Sequence, residues 1–199
     1  MATAISLLVR ARNREPIAWE QLVELYGPLV LRWCGTAGID AHHCADILQE
    51  VFATVSQKLP GFDLEQSQAN FRGWLWMVTR HKLIDHVRRQ RRQVAAAGGS
   101  SAKARLELVA DVPFDLSLPD EEPTSVIDLR ELRIRAIAQV ESEFESATWQ
   151  AFWRSVVDGL PTDLVARELN TTPANVRQAR SRVLRRLRLQ LGEVREDTP

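Results

Sequence analysis

Residues 71–92 constrain this chain more than any other stretch, because no proline interrupts them and they are long enough for about six helical turns. At ~100° per residue, Trp76, Leu83, Ile84 and Val87 gather on one side of such a helix, and Phe71, Trp74, Leu75 and Val78 on the opposite side. Continued toward the C-terminus, that second side carries His81, Lys82, Asp85, Arg88, Arg89 and Arg92. A surface that runs from aromatic to cationic suits nucleic acid with partly unstacked bases, since rings receive bases while guanidinium groups track phosphates. The same pattern also fits a helix buried on both sides near its start, with a solvated basic tail. On this stretch alone both readings stay open.

The rest of the chain reads as helices on either side of a break. Residues 4–12 form a short amphipathic segment. From Pro16, the positions Trp19, Leu22, Val23, Tyr26, Leu29, Val30 and Trp33 follow the 3.6-residue period, with Gly27 and Pro28 expected to kink or split the helix. From His42 the period resumes through Ile47, Leu48, Val51, Phe52, Val55 and Leu59, and it stops at Pro60 and Gly61. Asp46, Gln49, Glu50, Ala53, Ser56 and Gln57 share the opposite, polar face, which by itself reads as solvated surface. Residues 62–70 form a polar loop that leads into the aromatic-cationic helix.

Residues 93–125 have no sustained period and contain a small-residue run, three prolines and the acidic run Asp120, Glu121, Glu122, so they read as a flexible acidic linker. Fully extended, such a linker spans at most ~110 Å; as a relaxed coil its ends lie ~30 Å apart. Charge follows the same division. The formal net charge is zero, yet residues 1–97 carry 12 Lys/Arg against 9 Asp/Glu, residues 98–146 carry 5 against 11, and residues 147–199 carry 9 against 6. Two basic ends around an acidic middle favour two modules that face nucleic acid.

Beyond the linker, Val126, Leu129, Leu132, Ala136, Ile137, Val140 and Phe144 mark one amphipathic helix, and Trp149, Phe152, Trp153, Val156 and Val157 a second. Residues 161–169 form a short helix, Asn170, Thr171 and Thr172 a tight turn, and Pro173 begins a longer helix with Thr172 as its cap. That last helix turns Val176, Ala179, Val183, Leu187 and Leu191 inward. Asn175, Arg177, Gln178, Ser181, Arg182, Arg185 and Arg188 face outward. A short helix, a three-residue turn and a second helix with an Arg/Asn/Gln outer face make a helix-turn-helix. The expected fold is therefore all-α: two small helical domains, residues 1–92 and 126–192, joined by the linker and followed by a tail at 193–199.

Several function classes recede. No apolar run reaches the ~20 residues of a membrane span, and the N-terminus lacks a signal-peptide pattern, so a cytoplasmic protein without membrane insertion is expected. Cys34 and Cys44 make no disulfide framework. A glycine-rich phosphate loop, a Ser/His/Asp arrangement and strand runs for an α/β core are absent from the sequence, so no enzyme and no cofactor is expected. Cys34, His42, His43 and Cys44 have zinc-ligand chemistry but no common zinc spacing, and no metal is assigned. His86 reads as a surface or phosphate-side histidine. The rival from a neighbouring class is a helix-turn-helix regulator, which would need a ligand or dimerisation domain in place of the aromatic-basic helix.

Three segments in register carry a family resemblance: Asp46-Ile47-Leu48-Gln49-Glu50-Val51-Phe52, then Phe71-Arg72-Gly73-Trp74-Leu75 running on to Asp85-His86-Val87-Arg88-Arg89, then the helix-turn-helix. Together they resemble the extracytoplasmic-function (ECF) type of sigma factor within the sigma-70 family. The resemblance implies a transcription initiation factor whose partners are RNA polymerase core (the β′ clamp and the β flap), promoter DNA and an anti-sigma factor. It implies further that Asp46, Gln49 and Glu50 face the clamp. Phe62, Asp63 and Asn70 of the loop, with Trp74, His81, Lys82, Asp85, Arg88 and Arg89 of the helix, would melt and hold the minus-ten element. Asn175, Arg177, Gln178, Ser181, Arg182 and Arg185 would read the minus-thirty-five element. The chain departs from the common family pattern at His81 and Pro161.

Overall fold

The computed structural model describes residues 5–63, 71–96 and 118–191. Among them are eight α-helices, one 3-10 turn and no strand, as the periodicity predicts. The helices are α1 (Ile5–Arg12), α2 (Pro16–Thr36), α3 (Ala41–Lys58), α4 (Phe71–Ala96), α5 (Val126–Glu141), α6 (Ser146–Val156), α7 (Thr162–Glu168) and α8 (Pro173–Leu191), with the 3-10 turn at Leu59–Gly61.

Local chemistry sets the helix ends. The Asp40 carboxylate accepts from the backbone N–H groups of His42 and His43, both at 3.1 Å, and so caps α3. These bonds and the His43 ring hold the Asp40 carboxyl down at about pKa 2. Ser125 and Asp128 form a reciprocal capping box at the start of α5. Thr172 Oγ1 accepts from Asn175 N at 3.2 Å, and Pro173 opens α8 where a missing N–H costs least. The α7–α8 turn needs one residue in the left-handed region, and Asn170, at φ 50°, supplies it. The expected break at Gly27 and Pro28 does not split α2, which runs unbroken through Pro28. Packing accounts for this: Gly27 is buried, and a Cβ there would lie 3.8 Å from Leu48 Cδ1, so α3 closes over the proline turn.

The first core is built from α1, α2, α3 and α4, with Leu22, Val30, Val51, Val55, Leu75 and Leu83 sealed from solvent. Edge-on aromatic pairs tie α2 to α4: Trp33 to Trp76 at 5.3 Å and Tyr26 to Phe71 at 5.1 Å. Leu132 and Ala136 of α5 belong to this same core. A turn later, Val140 of α5 joins a second cluster with Trp149, Phe152 and Val183, while Ala151, Val165, Ala166, Val176 and Ala179 pack the helix-turn-helix. Helix α5 therefore serves two cores. Polar contacts reinforce the junction: Gln139 Nε2 donates to Gln21 O at 2.9 Å, and Arg32 Nη1 lies 2.7 Å from Asp128 Oδ1, whose side chain is buried.

Two expectations about the linker meet particular structure. Helix α4 extends to Ala96, past residue 92, and residues 118–122 lie against α4, with 123–125 leading into α5. The linker's small-residue run begins within α4 at Ala95 and Ala96, and its remainder from residue 97, the tail at 193–199 and Asn70 lie outside the described residues.

Candidate nucleic-acid interface

Helix α4 combines the two readings left open by its sequence. Phe71, Leu75 and Val78 of its second side are buried, as are Trp76, Leu83 and Val87 of its first. Trp74 is only half-buried, and Met77 one turn on is 52% exposed, so the accessible apolar surface of this side narrows to one aromatic ring and one thioether. Phe62, at the end of the 3-10 turn, meets the Trp74 ring at 4.7 Å, and Phe71 backs it at 5.7 Å. A cavity of about 560 Å³ opens here, lined by Phe62, Gly73, Trp74 and Met77 and, across from them, by Asp120, Glu121 and Glu122. Asp63 is exposed at its edge of the fold.

The cationic half is exposed where the sequence puts it. His81, Asp85, Arg88 and Arg89 are exposed and Lys82 is half-buried. His81 Nδ1 lies 2.7 Å from Met77 O, so its ring is turned back along the helix. Glu50, Lys82, Asp85, Arg88, Arg89 and Arg92 line a groove of about 360 Å³ between α3 and α4. Within it, Arg89 Nη2 donates to Glu50 Oε1 at 2.8 Å and Lys82 Nζ lies 3.6 Å from Glu50 Oε2. The Arg89 hydrogen bond is the main cause that holds the Glu50 carboxyl below its ordinary range. Glu50 and its two cations thus form one cluster, although the sequence assigns them to different partners. Asp46 and Gln49, four residues and one residue before Glu50, stay exposed on α3.

His86 is buried, contrary to the surface position expected from its charge pattern. It packs on His43 at 4.7 Å between ring centroids, and burial, then the neighbouring His43, pushes its pKa below the ordinary 6.5. The expectation failed because His86 falls between the apolar stripe and the basic stripe, and α3's first turn covers it.

In the helix-turn-helix, Asn175, Arg177, Gln178, Ser181, Arg182 and Arg185 are all exposed on α8, while Val176, Ala179 and Val183 hold its other side against α6 and α7. Asn175 Nδ2 donates to Thr171 Oγ1 at 3.1 Å, which ties this side chain to the turn. Arg186 is drawn away from that face by a two-pronged pair with Glu143, at 2.6 Å and 2.5 Å. The outer face therefore presents exposed amide, hydroxyl and guanidinium donors.

Sequence reasoning missed the acidic partners. Arg72 Nη2 lies 2.9 Å from Glu122 Oε1, Arg80 Nη2 lies 3.3 Å from Asp120 Oδ1, and Arg32 pairs with both Asp128 and Glu131. The available signal was the run Asp120, Glu121, Glu122 itself, which is opposite in sign to the arginines of α4. No helix among the described residues is long and apolar enough to cross a membrane.

No curated protein matches the chain at a significant level. Residues 22–93, about a third of the chain, match the family model of sigma-70 region 2. The matched stretch runs from the second turn of α2 to near the end of α4, so it contains the Glu50 cluster and the Phe62, Trp74 and Met77 side of the cavity but not its acidic residues, and it supports a member of the sigma-70 family.

Proposed function

We propose that the chain is a non-enzymatic transcription initiation factor of the ECF type, which binds RNA polymerase core and directs it to promoters. The observation that carries this reading is the coincidence of the sigma-70 region 2 match with the exposed aromatic-to-cationic surface of α4. On this reading Asp46 and Gln49 engage the polymerase clamp, Phe62 and Trp74 receive unstacked bases of the minus-ten element, and Arg88 and Arg89 grip its phosphates. Arg177, Gln178, Ser181 and Arg182 read the minus-thirty-five element from the major groove, where a bidentate contact is worth ~1–3 kcal/mol against a wrong base. The β flap and an anti-sigma factor complete the proposed partners, and the site of action is the cytoplasm.

Core binding is tested by Asp46→Arg with Gln49→Arg. Glu50 is left in place because its carboxylate holds Arg89 and Lys82, and reversing it would disturb α4 as well as α3. Both substituted side chains are exposed, so circular dichroism and melting should be unchanged. Capture of core polymerase at moderate salt should fall by about tenfold or more, as reversal of charge at an interface does. Undiminished capture by the folded variant would remove α3 from the polymerase interface.

A further inference from the structure

Residues 118–122 are fastened to α4 at several points. The indole N–H of Trp76, a residue only 1% exposed, donates to Pro119 O at 2.9 Å. Arg80 Nε donates to Leu118 O at 3.2 Å, and the Leu118 side chain packs against the first core. Two ion pairs then fix the carboxylates. Arg72 with Glu122 is largely buried, at 13% and 21% side-chain exposure, while Arg80 with Asp120 is open, Asp120 being 93% exposed. The consequence is a strap that carries Asp120, Glu121 and Glu122 along one wall of the cavity whose other wall is Phe62, Trp74 and Met77.

We propose that this acidic strap is a built-in competitor for single-stranded DNA, holding the Trp74 cavity closed to nucleic acid until it is lifted. The proposal rests on the reading of α4 as a DNA surface. A strand whose base enters beside Trp74 brings its phosphates toward Asp120, Glu121 and Glu122, and like charges repel, most strongly at low salt. It also finds Arg72 and Arg80 of α4 already committed to the strap. The strap is continuous with α5 through the Ser125–Asp128 capping box, and Asp128 is paired with Arg32 of α2. Separation of α5 from α2 therefore pulls the strap from α4, so docking of the C-terminal helices on a partner and exposure of the DNA cavity are one movement.

The test uses the full chain carrying Asp120→Asn, Glu121→Gln and Glu122→Gln, and fluorescence anisotropy with a pool of short single-stranded DNA of randomised sequence. A control carries Glu20→Gln, Glu141→Gln and Glu145→Gln, which remove the same charge from exposed sites away from α4. The strap variant should bind about tenfold more tightly than wild type at low salt, the control should gain far less, and adding Trp74→Ala to the strap variant should erase the gain. Equal gains by strap and control variants would show net charge alone at work and overturn the competitor, leaving the DNA reading of α4 intact. If wild type, strap variant and control all melt cooperatively yet none binds single strands, the reading of α4 fails and the strap proposal falls with it.

Discussion

Trp74→Ala is expected to cut the opening of duplex promoter DNA by roughly ten- to a hundredfold, the loss that follows when ~1–3 kcal/mol of base stacking on an aromatic ring disappears. Binding to a template already mismatched across the minus-ten region should fall much less, because that DNA has met its unpairing cost beforehand. The rival account makes Trp74 a packing residue. Its ring does touch Phe62 and Phe71, but it is half-buried beside an exposed Met77, whereas Phe71 and Leu75 on the same side are sealed. Stability should therefore drop by no more than ~1–2 kcal/mol, the worth of an aromatic pair and partial burial. A variant that loses ~3–5 kcal/mol, as truncation of a fully buried aromatic does, and fails on both templates alike would assign Trp74 to the core.

Leu132→Ala should cost ~2–5 kcal/mol of unfolding free energy, the range for emptying a sealed leucine site. Leu132 is fully buried among residues of α1 to α4, although its helix belongs by sequence to the C-terminal half. Val126, on the same helix but 83% exposed, provides the contrast, and Val126→Ala should leave the denaturant midpoint almost unchanged. A near-neutral Leu132→Ala would mean that α5 is not held against the N-terminal helices in solution, which would also unfasten the strap.

The parts of this protein legible from sequence are those governed by local periodicity. The 3.6-residue pattern located α2, α3, α4 and α8, and the Thr172–Pro173 cap and the Asn170 turn followed from residue chemistry alone. Pairings over long sequence distances were not legible. Leu132 and Val140 sit two turns apart on one amphipathic helix, and nothing in that helix says that they enter different cores. Residues 118–122 have no period of their own, so their attachment to Trp76 and Arg80 could not be read from pattern. His86 shows the converse problem, a titratable residue near a basic stripe that reads as exposed until α3 is seen to cover it. The same holds for Glu50, whose exposed-face position hid its bond to Arg89 thirty-nine residues away.

In the proposed function, this chain turns RNA polymerase core into a promoter-specific enzyme complex. Run-off transcription with purified core polymerase and the full chain on a library of duplex promoter fragments tests it most directly. Discrete start sites that require the protein are expected, on templates sharing one upstream and one downstream element at fixed spacing. Transcripts no different from those of core polymerase alone, with a protein that is folded and captures the core, would contradict it.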